Sequence, residues 1–170
     1  FPKSNPPRER RLKQGEYEKL MAACTNTTVW YLWPMIEIAI ATCMRRGEIL
    51  SLEWKNIDFE RRKALLPNTK NGRSRWVPLP SNVIDLLKTL PQENECVFPI
   101  TDIAVRQSWD RLRRRARVSD LTFHDLRHEA ISRQFESGLS IPQVMAISGH
   151  QTASQLFRYI QLVDTDPVSM

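Results

Sequence analysis

His124-Asp125-Leu126-Arg127-His128 follows Thr122, a residue type that caps helix N-termini, so His124, Arg127 and His128 should project together from the first turns of one helix. Cationic and proton-bearing groups placed there are suited to an anion. Twenty-three residues beyond Arg127 stands His150, after Gly149, and nine residues further comes Tyr159, after Arg158. Upstream lie Arg45, within Cys43-Met44-Arg45-Arg46-Gly47-Glu48-Ile49, and Lys70, beside Asn71-Gly72. Arginine grips two oxygens of a phosphate at once, histidine and lysine move protons, and a phenol is a nucleophile once deprotonated. Together Arg45, Lys70, His124, Arg127, His150 and Tyr159 form a set for binding phosphate and transferring protons that ends in a phenol.

Taken singly, each residue has a plainer reading. Arg45 could cap a helix, Lys70 could solubilise a hairpin, His124 could be a hydrogen-bonded half-buried histidine, and Tyr159 could simply pack. Glu48 reads as a partner for an arginine rather than as a reacting group. His124, His128 and His150 are all the histidines of the chain and could form a three-histidine metal site. Arg127 would then sit as a fixed cation beside the metal, and the pair lacks the glutamate of the H-E-x-x-H arrangement.

The elements that must position these groups follow from periodicity. Leu20, Met21, Ala23 and Cys24 mark a helix over Glu16–Cys24, and Thr28 is expected to cap a second running to Met44, with Trp30, Trp33, Ile36, Ile40 and Cys43 as its buried stripe and Pro34 kinking it or shifting its start. A short turn of helix spans Glu48 to Leu52. Ile57–Phe59, Ala64–Leu66 and Arg75–Leu79 read as three short antiparallel strands, with Asn71-Gly72 at a hairpin tip that carries Lys70. Helices are then expected over Val83–Leu90, Ile103–Arg117, His124–Ser137, Ile141–Ile147 and Thr152–Tyr159, with Gly138 and Gly149 as stops. The fold class is mostly α with a small antiparallel β-sheet (α+β), in one domain over residues 14–170 behind an arm at 1–13.

Composition narrows the class of protein. The 170 residues, 41% hydrophobic and 26% charged, suit one globular domain, and no apolar run reaches the roughly 20 residues a membrane span needs. Three cysteines with wide spacing indicate neither a disulfide framework nor a zinc knuckle, so a reducing cytoplasm is expected. Phe1 rather than Met opens the sequence with no signal-peptide pattern after it, which suggests a longer parent. Lys and Arg exceed Asp and Glu by 25 to 19, and the excess is clustered: five basic residues in Lys3–Lys13, six in Arg61–Arg75 and six in Arg106–Arg117. In the last of these, Val105, Trp109, Leu112 and Ala116 form an apolar stripe and the arginines take the outer face. Such a density of guanidinium groups is self-repelling unless a polyanion lies alongside.

From about Leu12 to Leu162 the sequence resembles the catalytic domain of the tyrosine recombinases, or phage integrases. Their box I reads approximately G-L-R-x-S/G-E-L, and box II H-x-L-R-H is followed by G-H and by a tyrosine nine residues later. Box I here is Cys43-Met44-Arg45-Arg46-Gly47-Glu48-Ile49, with Arg46 as the alternative to Arg45, and Thr69-Lys70-Asn71-Gly72 with Arg75–Leu79 corresponds to the family's hairpin lysine segment. Two departures are Cys43-Met44 in place of Gly-Leu and Glu129 in place of the threonine usual after box II. The resemblance implies site-specific recombination or integration. Tyr159 would attack a DNA phosphodiester to give a 3′-phosphotyrosine and a free 5′-hydroxyl, with no cofactor, neither metal nor ATP. Arg45 and Arg127 would clamp the phosphate, His124 assist proton removal from Tyr159, His150 donate to the phosphate, and Lys70 protonate the leaving oxygen. Double-stranded DNA is the implied partner, with a homotetramer on two DNA sites, a monomer as the alternative in isolation, and an additional upstream DNA-binding domain. A catalytically silent DNA-binding module and type IB topoisomerase-like relaxation are the competing functions.

Overall fold

A computed structural model describes residues 10–67 and 73–164, with side chains through residue 160. Helices α1 (Glu16–Cys24), α2 (Leu32–Thr42) and α3 (Arg46–Ser51) precede strands β1 (Ile57–Asp58), β2 (Lys63–Leu66) and β3 (Arg75–Pro78). Helices α4 (Ser81–Thr89), α5 (Asp102–Arg115), α6 (Phe123–Glu136), α7 (Ile141–Ser148) and α8 (Phe157–Asp164) complete the chain. The strands pair antiparallel in sequence order, Ile57 opposite Ala64 and Leu65 opposite Trp76. Alternation puts Ala64, Leu66 and Val77 inside and leaves Trp76 outside beneath the Lys63 ammonium, 4.3 Å from its ring centroid. The tip carrying Lys70 and Asn71-Gly72 lies outside the described residues. None of the described helices is long and apolar enough to cross a membrane.

Helix α2 is the hub, packing against α1, α3, α4, α5 and α6, and Leu32, Met35, Ile36, Ile38, Ala39 and Ile40 are all buried. It starts four residues after Thr28, so the expected cap is not used, and Pro34 falls in its first turn, where a missing N–H is harmless. The expected stripe therefore needs correcting. Trp30 and Trp33 are 42% and 46% exposed, because Trp30 precedes the helix and stacks on Phe98 while Trp33 starts the outer row that continues through Glu37 and Ala41. The predicted helix over Thr152–Tyr159 is likewise divided. A 3-10 turn at Ala153–Gln155 comes first, Leu156 then drops into the core, and α8 starts only at Phe157.

Two apolar clusters result. The larger joins α1–α5 with the sheet, and the smaller gathers Cys43, Ala130, Ile131, Phe135, Val144, Leu156 and Tyr159 between α6, α7 and α8. Helix α5 buries Val105, Trp109 and Leu112, with Ala116 just past its end, and turns its arginines outward as the periodicity requires. Part of their repulsion is relieved within the helix, since Arg106 pairs with Asp102 while Arg113 and Arg114 share Asp110. Arg111 and Arg117 make no ion pair among the described residues.

Glu129, the departure from the family pattern, is 3% exposed and accepts from Arg11 Nη2 and Arg133 Nε at 2.8 Å and from the Leu12 N–H at 3.1 Å. Where the family usually has threonine, this chain has a buried carboxylate that fastens the segment before α1 to α6. Arg10 bonds in the same region to Glu16 and Asp120.

Candidate active site

Helix α6 presents the central residues. Its N-terminus is closed by a capping box: Asp125 N–H donates to Thr122 Oγ1 at 3.3 Å, and Thr122 N–H donates to Asp125 Oδ2 at 2.8 Å. That fixes the first turn, from which His124 faces an open cleft of about 500 Å3 lined also by Arg45, Arg46, Glu48, Asp102 and Arg127. Arg45 enters it from the residue preceding α3, and its N–H donates to Glu48 Oε1 at 2.9 Å. The neighbouring Arg46 is committed elsewhere, its Nε 2.7 Å from Asp102 on α5.

Arg127 is 3% exposed and joins three parts of the fold. Nη1 donates to the carbonyl of Cys43, the residue with φ 62° that ends α2, and Nη2 donates to the Ser148 carbonyl at the end of α7 at 2.9 Å. Nη2 also lies 3.4 Å from His150 Nδ1, which is 2.7 Å from Ser148 Oγ. Gly149, left-handed at φ 80°, makes the turn that delivers His150. Of the expected residues, Arg45, His124 and Arg127 thus line one cleft, and His150 adjoins them through Arg127. Lys70 lies outside the described residues.

Tyr159 sits behind this locus. Its ring is 3% exposed in the smaller core, stacked on Phe135, and Oη lies 2.5 Å from His128 Nδ1 and accepts from Arg158 Nη2 at 3.0 Å. The phenol's histidine contact is thus His128, while His124 packs edge-on against the His128 ring with centroids 5.0 Å apart. His128 bonds Tyr159, and His150 bonds Ser148 and Arg127; no group of three or more His, Cys, Asp or Glu among the described residues is arranged for a metal.

The sequence reading did not single out Arg75, Ser148 or Arg158. Arg75 lies on β3, beside the hairpin, and forms a two-point pair with Glu48 at 2.6 and 2.9 Å while its Nε donates to the Ile147 carbonyl at 3.0 Å. The expected role of Glu48 as an arginine's partner is what the structure shows. The signal for Arg75 was its place in the hairpin segment, but nothing in strand periodicity says that its side chain reaches back to α3. An added Cβ at Gly149 would come 2.6 Å from Arg75 Nη1. Gly149→Ala is therefore expected to cost more than about 1 kcal/mol through its positive φ alone and to displace Arg75 from Glu48. Thermal unfolding checks the first effect; a Gly149→Ala protein as stable as the parent would contradict it.

Electrostatically the site is a cationic cluster in which Glu48 and Asp102 are each paired with an arginine. Burial and the nearby Arg127 and Arg45 push His150 down to about 3, while burial, His124 and Arg158 push His128 down to about 4. Burial, Arg127 and Arg45 lower His124 too. Burial and Arg45 bring Arg127 down to about 10, still charged at neutral pH. Burial raises the Tyr159 phenol against the opposing pull of Arg158 and Arg127.

The unfolded chain takes up these histidine protons as pH falls through about 6.5, whereas the fold resists them, so stability present at pH 7 is lost progressively below that value. Glu48, held below the carboxylate range by Arg75 despite burial, and Glu129, held by Arg11, lose their stabilising charge lower still, as pH falls from about 4.5 through their folded values. The unfolding temperature should already drop between pH 7 and pH 5, and a flat profile there would mean that the histidines are not sheltered.

Residues 10–165 match the phage integrase family. The shufflon-specific DNA recombinase of Escherichia coli is 41% identical over 163 residues, 95% of this chain and 42% of that protein, so the chain spans less than half the length of this relative. The catalytic domain of bacteriophage HP1 integrase is similar over 94% of this chain and 96% of its own, at 25% identity and a TM-score of 0.74. The XerH site-specific recombinase, solved bound to its difH substrate before cleavage, shares the fold at 22% identity and a TM-score of 0.71, over 88% of this chain and 49% of that one. The mostly helical architecture with its three-stranded antiparallel sheet is that of solved integrase catalytic domains. Since the match runs from the segment before α1 through the helix that bears Tyr159, the chain belongs to the phage integrase family, the tyrosine recombinases.

Proposed function

We propose that this chain is the catalytic domain of a site-specific recombinase that cuts and rejoins DNA strands through a 3′-phosphotyrosine. The reading is carried by one observation: Arg45, from the start of α3, and His124 and Arg127, from α6, line a single cleft whose arginines outnumber its carboxylates, and His150, just past the end of α7, lies 3.4 Å from Arg127. A phosphodiester there would find planar donors for its nonbridging oxygens, whose negative charge grows as a nucleophile attacks. Tyr159, one helix away, supplies the nucleophile, and Lys70 the acid for the departing 5′-oxygen. One phosphodiester-type bond replaces another, so rejoining needs no energy source and no nucleotide enters the scheme, and the arginines take the charge-stabilising part that a metal would otherwise play.

Deprotonating a free phenol at pH 7 costs roughly 4 kcal/mol, and burial adds to that cost, so the cations near Tyr159 and a proton acceptor are both required. The outward arginines of α5 favour duplex DNA as partner, and the XerH complex, in a protein of the same fold, supports it. Assembly as a homotetramer on two DNA sites and an upstream DNA-binding domain belong to the same proposal.

The test is phosphotyrosine capture from a pool of nicked duplexes of randomised sequence, in which cleavage releases a short strand and traps the adduct. A protein–DNA adduct that survives denaturation and maps to the peptide bearing Tyr159 is expected. Retention of DNA without any adduct would establish the catalytically silent binding module instead. Relaxation of a supercoiled plasmid without exchange between duplexes would favour the topoisomerase-like alternative.

A further inference from the structure

Arg158 and Tyr159 are neighbours on α8, whereas His128 belongs to α6, and the three meet at the phenol oxygen. A guanidinium only donates, so Oη accepts from Arg158, and the phenolic hydrogen can go to Nδ1 at 2.5 Å in the tautomer that carries its hydrogen on Nε2. No other proton acceptor touches Oη among the described residues. Taking Tyr159 as the nucleophile, as in the reading above, we infer that His128 is the general base that takes its proton, with Arg158 holding the phenolate.

The step balances. The Oη–H bond breaks as Nδ1–H forms; Oη then bonds phosphorus while the bond from phosphorus to O5′ breaks, and O5′ takes its proton from a separate acid, Lys70 in this scheme. In rejoining, a 5′-hydroxyl returns its proton to the neutral Lys70 amine and attacks phosphorus as the bond from phosphorus to Oη breaks, and the departing phenolate recovers its hydrogen from His128. His124, to which the family pattern gives this work, stays on the cleft wall, where it can serve the phosphate.

The groups facing His128 explain when it becomes basic. From α6 these are His124, Asp125 and Arg127, and from α8 Arg158 and Tyr159. In the free protein burial and the cations keep the imidazole neutral, with its lone pair available. A phosphodiester arriving at Arg45 and Arg127 brings a negative charge that offsets part of this positive potential, so His128 gains basicity only with DNA in the cleft. Arg158 travels with Tyr159 on one helix, and its Nε is buried without a partner among the described residues, leaving a donor for the charge that develops beside it.

The decisive experiment follows single-turnover cleavage of a captured nicked duplex from pH 5.5 to 9 by the wild-type chain and by His128→Asn, whose amide oxygen keeps an acceptor in the position of Nδ1 but takes no proton. Each protein is also made with 3,5-difluorotyrosine at position 159, a more acidic phenol. His128→Asn is expected to be about 10²- to 10⁴-fold slower at pH 7, to gain rate steadily as pH rises, and to recover at least about tenfold with the fluorinated residue, which should change wild type little. Wild-type rates with a wild-type pH profile in His128→Asn would overturn the inference. A uniform loss at every pH without recovery by difluorotyrosine would also overturn it, because that is the mark of lost packing. A measurement needing no variant is nitrogen NMR of the histidines in the wild-type chain: a hydrogen on Nδ1 rather than Nε2 of His128 would exclude it as acceptor. Failure of the underlying reading looks different, since then wild type itself forms no adduct, or forms it through another residue.

Discussion

Tyr159→Phe is expected to bind DNA as the parent does and to form no covalent adduct, a loss of more than about 10⁴-fold that removes activity to background. The substitution deletes one oxygen. The ring that remains still fills the space among Ala130, Ile131, Phe135 and Leu156, so the smaller core keeps its shape. What disappears are the bonds to His128 Nδ1 and Arg158 Nη2, leaving a buried imidazole nitrogen without its partner at a cost of about 1–3 kcal/mol. At roughly 2–4 °C per kcal/mol for a domain of this size, the variant should melt several degrees lower yet remain folded at the temperature of the cleavage assay. Denaturing electrophoresis after incubation with labelled duplex is the measurement. A labelled band at the position of a protein–DNA adduct from the phenylalanine variant would falsify the assignment of Tyr159 as nucleophile.

Much of this site was legible in the sequence, for reasons that differ from residue to residue. Thr122 announces the start of α6 through local chemistry, which reads the same in any context, and so His124, Arg127 and His128 fall on the first turns of one helix as expected. Gly149 and Gly138 marked helix ends because the left-handed backbone there suits a residue without Cβ. Tyr159 was identified by its spacing from Gly149-His150, yet spacing says nothing of burial. Its inward position and its bond to His128 depend on where α8 docks, a tertiary fact set by Leu156 entering the core. Trp30 and Trp33 were misplaced because large aromatic residues suggest burial, whereas α2 is so completely surrounded by other elements that its only outer row happens to begin with a tryptophan. Arg75 and Arg11 escaped because their partners, Glu48 and Glu129, lie 27 and 118 residues away. No local pattern records pairings of that range.

Arg127 illustrates how a residue can be catalytic by resemblance and architectural by geometry, and the two roles call for different substitutions. Arg127→Ala removes the donors to the carbonyls of Cys43 and Ser148 together, and each buried acceptor left unpaired costs about 1–3 kcal/mol. Lost activity in that variant would not distinguish a missing clamp from a loosened junction of α2, α6 and α7. Arg127→Lys is the sharper instrument. It keeps the positive charge, so DNA should still be retained and its affinity should remain as sensitive to salt. A single ammonium, however, cannot satisfy two carbonyls on opposite sides of the guanidinium and also present donors to a phosphate. Cleavage at saturating DNA is therefore expected to fall about 10²- to 10³-fold, with a smaller loss of thermal stability than in the alanine variant. Because the defect lies in stabilising charge at phosphorus and not in forming phenolate, raising the pH should not restore it, in contrast to the behaviour expected of His128→Asn. Cleavage by the lysine variant within threefold of the parent would show that charge alone suffices at this position, and the planar clamp would have to be assigned to Arg45.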